Sequence, residues 1–419
     1  MKRVLMVAFQ FPPFAGSSAV QRTLRFVRYL PEFGWEPVVL TAHPRAYEQR
    51  SSDQLLDIPR GTVIERAFCL DAARHLGLFR RYPASFARPD RWISWWPWAV
   101  LKGLQLVARY KPDALWSTFP IPTAHKIGRS LHRRTRLPWI ADFRDPMVQP
   151  DDPADPILWA AYERVEQATI ADSQLNVFTT AGTCALYRAR YQDRPNASFV
   201  VVENGYDEEV FTSLTDVSAS PKPATTGRLL LLHSGAIYPL ERDPTQLFLA
   251  LKVLVAKGVV SPRTMRVRLR ATGHDPEIRR MIVECGVADI VELAPPVSYR
   301  EAISEMLVAD ALLILQGGQV KTQVPAKVYE YLRARRPILA LTDPDGDTAR
   351  VLASAGVRHI ARIDSKQEIA RAIEDFVGHV RANTAPKPDD DYVRRASRRN
   401  RTGELAALLD QVTERRLVE

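Results

Sequence analysis

The chain has 419 residues, 46% hydrophobic and 25% charged, which excludes a disordered chain and exceeds the roughly 250–300 residues at which a single core stops growing. Lys and Arg number 58 against 48 Asp and Glu, a formal net charge of +10; this favours anionic partners such as nucleotide phosphates, acidic lipids or nucleic acid without choosing among them. Cys69, Cys184 and Cys285 are too scattered for a disulfide framework or a metal spacing, and no run reaches the roughly 18 apolar residues of a membrane span.

After Met1-Lys2-Arg3 the chain runs apolar from Val4 to Phe9. Gln10, Pro12 and Pro13 interrupt the run and no small-residue cleavage site follows, so it predicts a strand and not a secretion signal. Ala19–Leu30 predicts the first helix, with Val20, Leu24 and Val27 on one face. Pro37–Thr41, Ala114–Thr118, Trp139–Phe143, Asn176–Thr180 and Phe199–Val202 predict further buried strands. Residues 213–227, rich in Ser, Thr, Pro and Ala, predict a linker. Leu229–Leu232, Val267–Arg270, Ile290–Leu293, Ala311–Leu315, Ile338–Leu341 and His359–Ile363 then repeat the strand rhythm. Strands alternating with helices imply parallel sheets covered on both faces. The predicted division is an N-terminal domain over 1–212, the linker over 213–227, a C-terminal domain over 228–383, and a terminal segment over 384–419 ending in a charged helix.

Several stretches carry candidate chemistry. Gly16, Ser17 and Ser18 lie between the first strand and the first helix, where backbone N–H groups can meet a phosphate or simply cap a turn. Arg22, Arg25 and Arg28 line one side of that helix, as a solvated face or part of an anionic-membrane patch. Trp95 and Trp96 belong to an Arg- and Trp-rich stretch over 88–98, read as a membrane or sugar-binding surface or as a packed loop. The preceding Arg80-Arg81-Tyr82 shares that reading. His125 is a second-loop candidate or a packing residue. Asp142-Phe143-Arg144-Asp145 ends a strand, so Arg144 faces the acceptor and Asp145 orients or deprotonates a hydroxyl, unless the two merely brace the loop.

In the second half, Gly235 ends the strand Leu229–Leu232 with its following His233-Ser234, and Arg242 is close behind. A pyrophosphate can approach such a glycine and pair with such an arginine; the plainer reading is a turn with an ion pair. Lys327 opens a helix after Pro325. A cation at that positive end makes sense with a phosphate between them, and Glu330, one turn on, suits ribose hydroxyls. Asp343 and Asp345 form an Asp-x-Asp in a turn before a helix and are discounted as a metal site.

Asn204-Gly205-Tyr206-Asp207, His233-Ser234-Gly235, the segment Pro325-Ala326-Lys327-Val328-Tyr329-Glu330-Tyr331-Leu332 and the opening Phe11-Pro12-Pro13-Phe14-Ala15-Gly16 together resemble GT-B glycosyltransferases of family 4, in order along nearly the whole chain. The resemblance implies an α/β fold of two Rossmann-like domains facing across a cleft. It also implies a donor site in the C-terminal domain and a final helix that packs back on the N-terminal domain. It further implies a retaining hexosyl transfer without a metal or cofactor, in which Gly16, Ser17, Gly235, Arg242 and Lys327 meet the donor diphosphate and Glu330 the ribose. Many relatives carry a Glu eight positions before the residue matching Glu330, where this chain has Thr322. The expected partners are a nucleoside-diphosphate sugar, a glycan or lipid-linked acceptor of cell-surface polysaccharide synthesis, and an anionic membrane, with no nucleic acid. The expected location is cytoplasmic, at the inner face of the plasma membrane. A non-hydrolysing nucleotide-sugar epimerase and a binding subunit that keeps the fold without the chemistry are the alternatives.

Overall fold

A computed structural model describes residues 1–15, 19–77, 87–150, 152–195, 198–215, 227–239 and 241–418. The chain divides into two compact units, one of Met1–Glu203 with Arg398–Glu419, the other of Asn204–Ser397.

The first unit holds a parallel sheet of β1 (Lys2–Val7), β2 (Trp35–Ala42), β3 (Val63–Ala67), β4 (Ala114–Thr118), β5 (Trp139–Phe143), β6 (Leu175–Phe178) and β7 (Phe199–Val201), in the order β3-β2-β1-β4-β5-β6-β7. Strand side chains alternate between faces, and here both faces are buried. Leu5, Val7, Leu40, Leu115 and Phe143 pack with helices Trp95–Tyr110 and Pro122–Thr135. Val4, Met6, Val39, Trp116 and Ile140 pack with helix Ala19–Tyr29 and with Leu405, Leu409 and Val412 of helix Arg398–Val418. This double cover explains the near-continuous apolar runs of the strands.

Burial corrects one expectation about the first helix. Arg22 and Arg25 are buried, not part of a membrane-facing surface. Arg22 clasps Asp142 through two hydrogen bonds, Nε to Oδ2 at 3.0 Å and Nη2 to Oδ1 at 2.8 Å, and donates to the carbonyls of Val202 and Glu203. Thr118 Oγ1 completes the carboxylate's partners at 2.9 Å. Arg25 pairs with Asp57. Of the three arginines only Arg28 is exposed.

The second unit holds β8 (Leu229–Ser234), β9 (Met265–Arg270), β10 (Val291–Ala294), β11 (Ala311–Gln316), β12 (Ile338–Thr342) and β13 (His359–Ala361), all parallel, in the order β10-β9-β8-β11-β12-β13. The chain passes between units after Glu203, earlier than the predicted boundary at 212. The reason is local: in helix Glu208–Thr215, Val210 and Phe211 share a core with Val328 and Tyr331, and Glu208 pairs with Arg333. Of the predicted linker, residues 216–226 lie outside the described residues.

Candidate functional site

Open parallel sheets bind ligands beyond the carboxyl ends of the two strands between which strand order reverses. In the second unit those are β8 and β11. β8 is followed by Gly235 and β11 by Gly317. Gly235 has φ +116°, and a Cβ there would lie 2.9 Å from Lys327 Nζ. A Cβ on Gly317 would lie 2.0 Å from the carbonyl oxygen of Glu241. Glycine therefore lets the turn before Asp243 lie directly against the end of β11. That turn aims Arg242: its Nε donates to Gln316 Oε1 at 3.0 Å and its Nη1 to the Ala236 carbonyl at 3.1 Å.

Lys327 is the first residue of helix Lys327–Ala334, whose free N–H groups add positive potential. Its Nζ stands 3.1 Å from His233 Nε2. His233 Nδ1 lies 2.9 Å from the Leu313 carbonyl. A carbonyl only accepts, so the network assigns the proton to Nδ1 and leaves Nε2 to accept from the lysine. Burial first, then the Lys327 charge, holds His233 far below the usual imidazole range, so it stays neutral. Burial also pulls Lys327 down to about 7; Arg242 pushes the same way and Glu330 opposes. Glu330 is buried and its Oε1 accepts from the Tyr299 hydroxyl at 2.9 Å. The Tyr331 hydroxyl accepts from the Ser234 N–H at 2.7 Å and ties the helix to the end of β8.

Lys327 thus stands beside Gly235 and within the electrostatic reach of Arg242 and Glu330, and the end of β8 and this helix carry the group. Two cations crowd one crevice, a strained arrangement that an anion relieves. Gly16 and Ser17 lie outside the described residues, as do Arg80, Arg81 and Tyr82. His233, Gln316 and Tyr299 carry parts that sequence reasoning did not assign. The signal for Gln316 was its place between a strand and a Gly-Gly pair.

In the first unit strand order reverses between β1 and β4. Arg144 bridges the two ends: its Nε donates to the Phe119 carbonyl and its Nη2 to Gln10 Oε1, each at 2.6 Å. It is buried, which lowers its guanidinium to about 10 against the pull of Asp142 and Asp145. Arg144 is therefore a brace more than a contact surface. Asp145, the next residue, is exposed.

His125 does not reach a surface. It is fully buried on helix Pro122–Thr135, with Nδ1 2.8 Å from Ser117 Oγ and its ring 4.7 Å from that of Phe143. Burial pushes it down to about 3, so it is a neutral core residue. Trp95 is likewise fully buried, which removes it from any membrane or acceptor face. Trp96 is half-buried: its Nε1 donates to Ser130 Oγ at 2.9 Å and Lys126 Nζ sits 4.0 Å above its ring. Trp98 and Leu101 are exposed on the same helix. No helix among the described residues is long and apolar enough to cross a membrane.

No family profile and no curated protein sequence matches the chain. In three dimensions it is similar to the UDP-forming α,α-trehalose-phosphate synthase of Burkholderia xenovorans in complex with glucose-6-phosphate, with TM-score 0.64, 12% identity and coverage of 98% of this chain and 100% of that one. It is similar to sucrose-phosphate synthase from Thermosynechococcus elongatus, with TM-score 0.60, 11% identity and coverage of 99% and 97%. It is also similar to S. aureus MnaA with UDP, with TM-score 0.52, 13% identity and coverage of 96% and 94%. At these identities the likeness concerns architecture, and the architecture of this chain, two parallel α/β sheets with helices on both faces, is that of the GT-B glycosyltransferases.

Proposed function

We propose that the protein transfers a sugar from a nucleoside-diphosphate sugar bound at the carboxyl ends of β8 and β11. The observation that carries this reading is the crowding of Lys327 and Arg242 beside Gly235, where strand order reverses. As the bond from the sugar's C1 to the diphosphate oxygen breaks, negative charge gathers on the departing phosphate. Lys327, Arg242 and the N–H groups of the Lys327 helix are aimed where that charge develops, which is the most effective place for fixed donors. In this reading they do the neutralising that a divalent ion does elsewhere, so transfer proceeds without a metal. Retention of configuration follows from the family resemblance. The acceptor hydroxyl attacks C1 and its proton leaves with the departing phosphate oxygen; exposed Asp145 of the first unit is proposed as an acceptor-hydroxyl contact. Glu330, with Tyr299, is the proposed ribose contact.

The acceptor is proposed to be a glycan or lipid-linked saccharide of the cell surface. The net charge of +10 and exposed Trp98 and Leu101 support work at the inner face of the plasma membrane. A sugar phosphate is the other acceptor class, supported by the glucose-6-phosphate of the trehalose-phosphate synthase.

Titrating the protein with UDP-, GDP-, ADP- and TDP-sugars while following thermal unfolding tests the reading, because a ligand of the folded state raises the melting temperature. One nucleotide should stabilise the wild type and fail to stabilise Lys327→Ala. No stabilisation by any of them, or equal stabilisation of the variant, overturns the site. The likeness to a putative UDP-N-acetylglucosamine 2-epimerase from Listeria monocytogenes, with TM-score 0.56, 14% identity and coverage of 97% of this chain and 94% of that one, favours epimerisation as a second reading; sugar interconversion without any acceptor would establish it in place of transfer.

A further inference from the structure

We propose that His359, Asp375 and His379 bind a divalent transition-metal ion of the zinc class, a site independent of the donor crevice. His359 opens β13, the edge strand. Asp375 and His379 lie one turn apart on helix Lys366–Arg381, so they share a face. His359 Nε2 is 3.1 Å from His379 Nδ1 and 3.4 Å from Asp375 Oδ2, and the latter two are 3.5 Å apart. An ion with bonds of about 2.0–2.1 Å to N and O separates its ligands by about 3.3–3.4 Å if tetrahedral and about 2.9 Å if octahedral. The observed triangle matches the tetrahedral case, with a fourth position left for water.

Two imidazoles and one carboxylate suit Zn²⁺ by donor type as well as by spacing. The ring of His359 is held in place by Phe376, 5.0 Å away at 73°. Among the described residues no other His, Cys, Asp or Glu group has this mutual proximity. In the metal-free state one hydrogen lies between the two facing nitrogens; on binding, both nitrogens give their lone pairs to the ion and that hydrogen passes, by exchange with water, to the far nitrogen of the same ring, so both imidazoles stay neutral. His359 is paired with Leu339 at the start of its strand, so the site lies at the amino ends of the strands, opposite the crevice of Lys327. Its role is therefore to clamp the short edge strand to its covering helix, not to act on the donor.

The test uses the full chain without a histidine tag, stripped with a chelator and titrated with ZnCl₂, with CoCl₂ in parallel. One Zn²⁺ per chain should bind and raise the melting temperature, and Co²⁺ should give the intense visible absorption of a tetrahedral site. His379→Ala, at a half-exposed position, should stay folded without metal, with a melting temperature lowered only by the loss of its bond to His359. It should lose at least the about 10–100-fold in Zn²⁺ affinity that even an outer partner of a ligand is worth. Asp375→Asn should weaken binding in the same direction. Equal Zn²⁺ binding by wild type and His379→Ala, or a pale octahedral Co²⁺ spectrum, overturns the proposal.

Discussion

Lys327 and His233 share one hydrogen bond, Nζ to Nε2 at 3.1 Å, while the imidazole's other nitrogen is committed to the Leu313 carbonyl. The histidine is thus fixed as an acceptor, and the lysine is the group that responds to pH.

Burial pulls Lys327 down to about 7 in the free protein. A bound diphosphate raises it again, because an adjacent anion favours the charged amine. Above about pH 7 the complex therefore holds a proton that the free protein lacks, and binding consumes it. Affinity for the nucleoside diphosphate should fall by up to about tenfold per pH unit above 7 and level off below it. Calorimetry in buffers of different ionisation enthalpy should register the proton uptake; affinity that stays flat on the alkaline side would show that Lys327 is not on the phosphate.

Gly317→Ala places a Cβ 2.0 Å from the Glu241 carbonyl oxygen, a backbone atom that must move. The turn carrying Arg242 moves with it and its bond to Gln316 breaks. Nucleotide affinity should drop by about tenfold or more, the scale of a charged hydrogen bond. Gly318→Ala is the control, since the nearest atom to its Cβ is Asp343 Oδ2 at 3.4 Å. Equal affinities for the two variants would detach Arg242 from the site.

Removing one partner of the Arg22–Asp142 pair strands a buried charge, which costs about 3–5 kcal/mol. Arg22→Ala should lower the first urea transition accordingly. Replacing both residues with apolar ones of similar volume should recover much of the loss, because no charge is then left alone. A double variant as unstable as the sum of the singles would contradict the pairing.

His125→Phe should cost about 1–2 kcal/mol of stability, the worth of its bond to Ser117. Turnover and the pH–rate profile should stay unchanged, because no atom of His125 reaches a surface. A loss of turnover without a loss of stability would restore it as a catalytic candidate.

The strands were legible where both faces of the sheet are covered, as in Leu312–Leu315, whose apolar run cannot be mistaken. β3 was not: Val63-Ile64-Glu65-Arg66-Ala67 sits at the sheet edge, half-exposed, with Glu65 paired to Lys102. Its half-exposed side chains include the charged pair Glu65-Arg66, which breaks the apolar run. Gly235, Lys327 and Glu330 were legible because short-range order places the first at a strand end and the other two on one helix; Arg242 reaches them from the turn before Asp243. Trp95 and His125 were not, because composition does not say which side of a helix meets the core. Arg22 misled for a longer-range reason: the carboxylate that buries it, Asp142, lies 120 residues further along the chain.

The path of the chain bears on how the protein is made. The second unit is an insertion within the first, and its two ends are stitched together by the Tyr206 N–H to the Ala396 carbonyl and the bridge from Tyr206 to Ser397. On the ribosome, the sheet of the first unit emerges early, yet the face bearing Val4, Met6 and Ile140 waits for Leu405, Leu409 and Val412. The inserted unit can close on itself meanwhile. Nascent chains stalled between the two events should therefore expose an open apolar layer and recruit chaperones, and they should lose that attraction once helix Arg398–Val418 clears the exit tunnel.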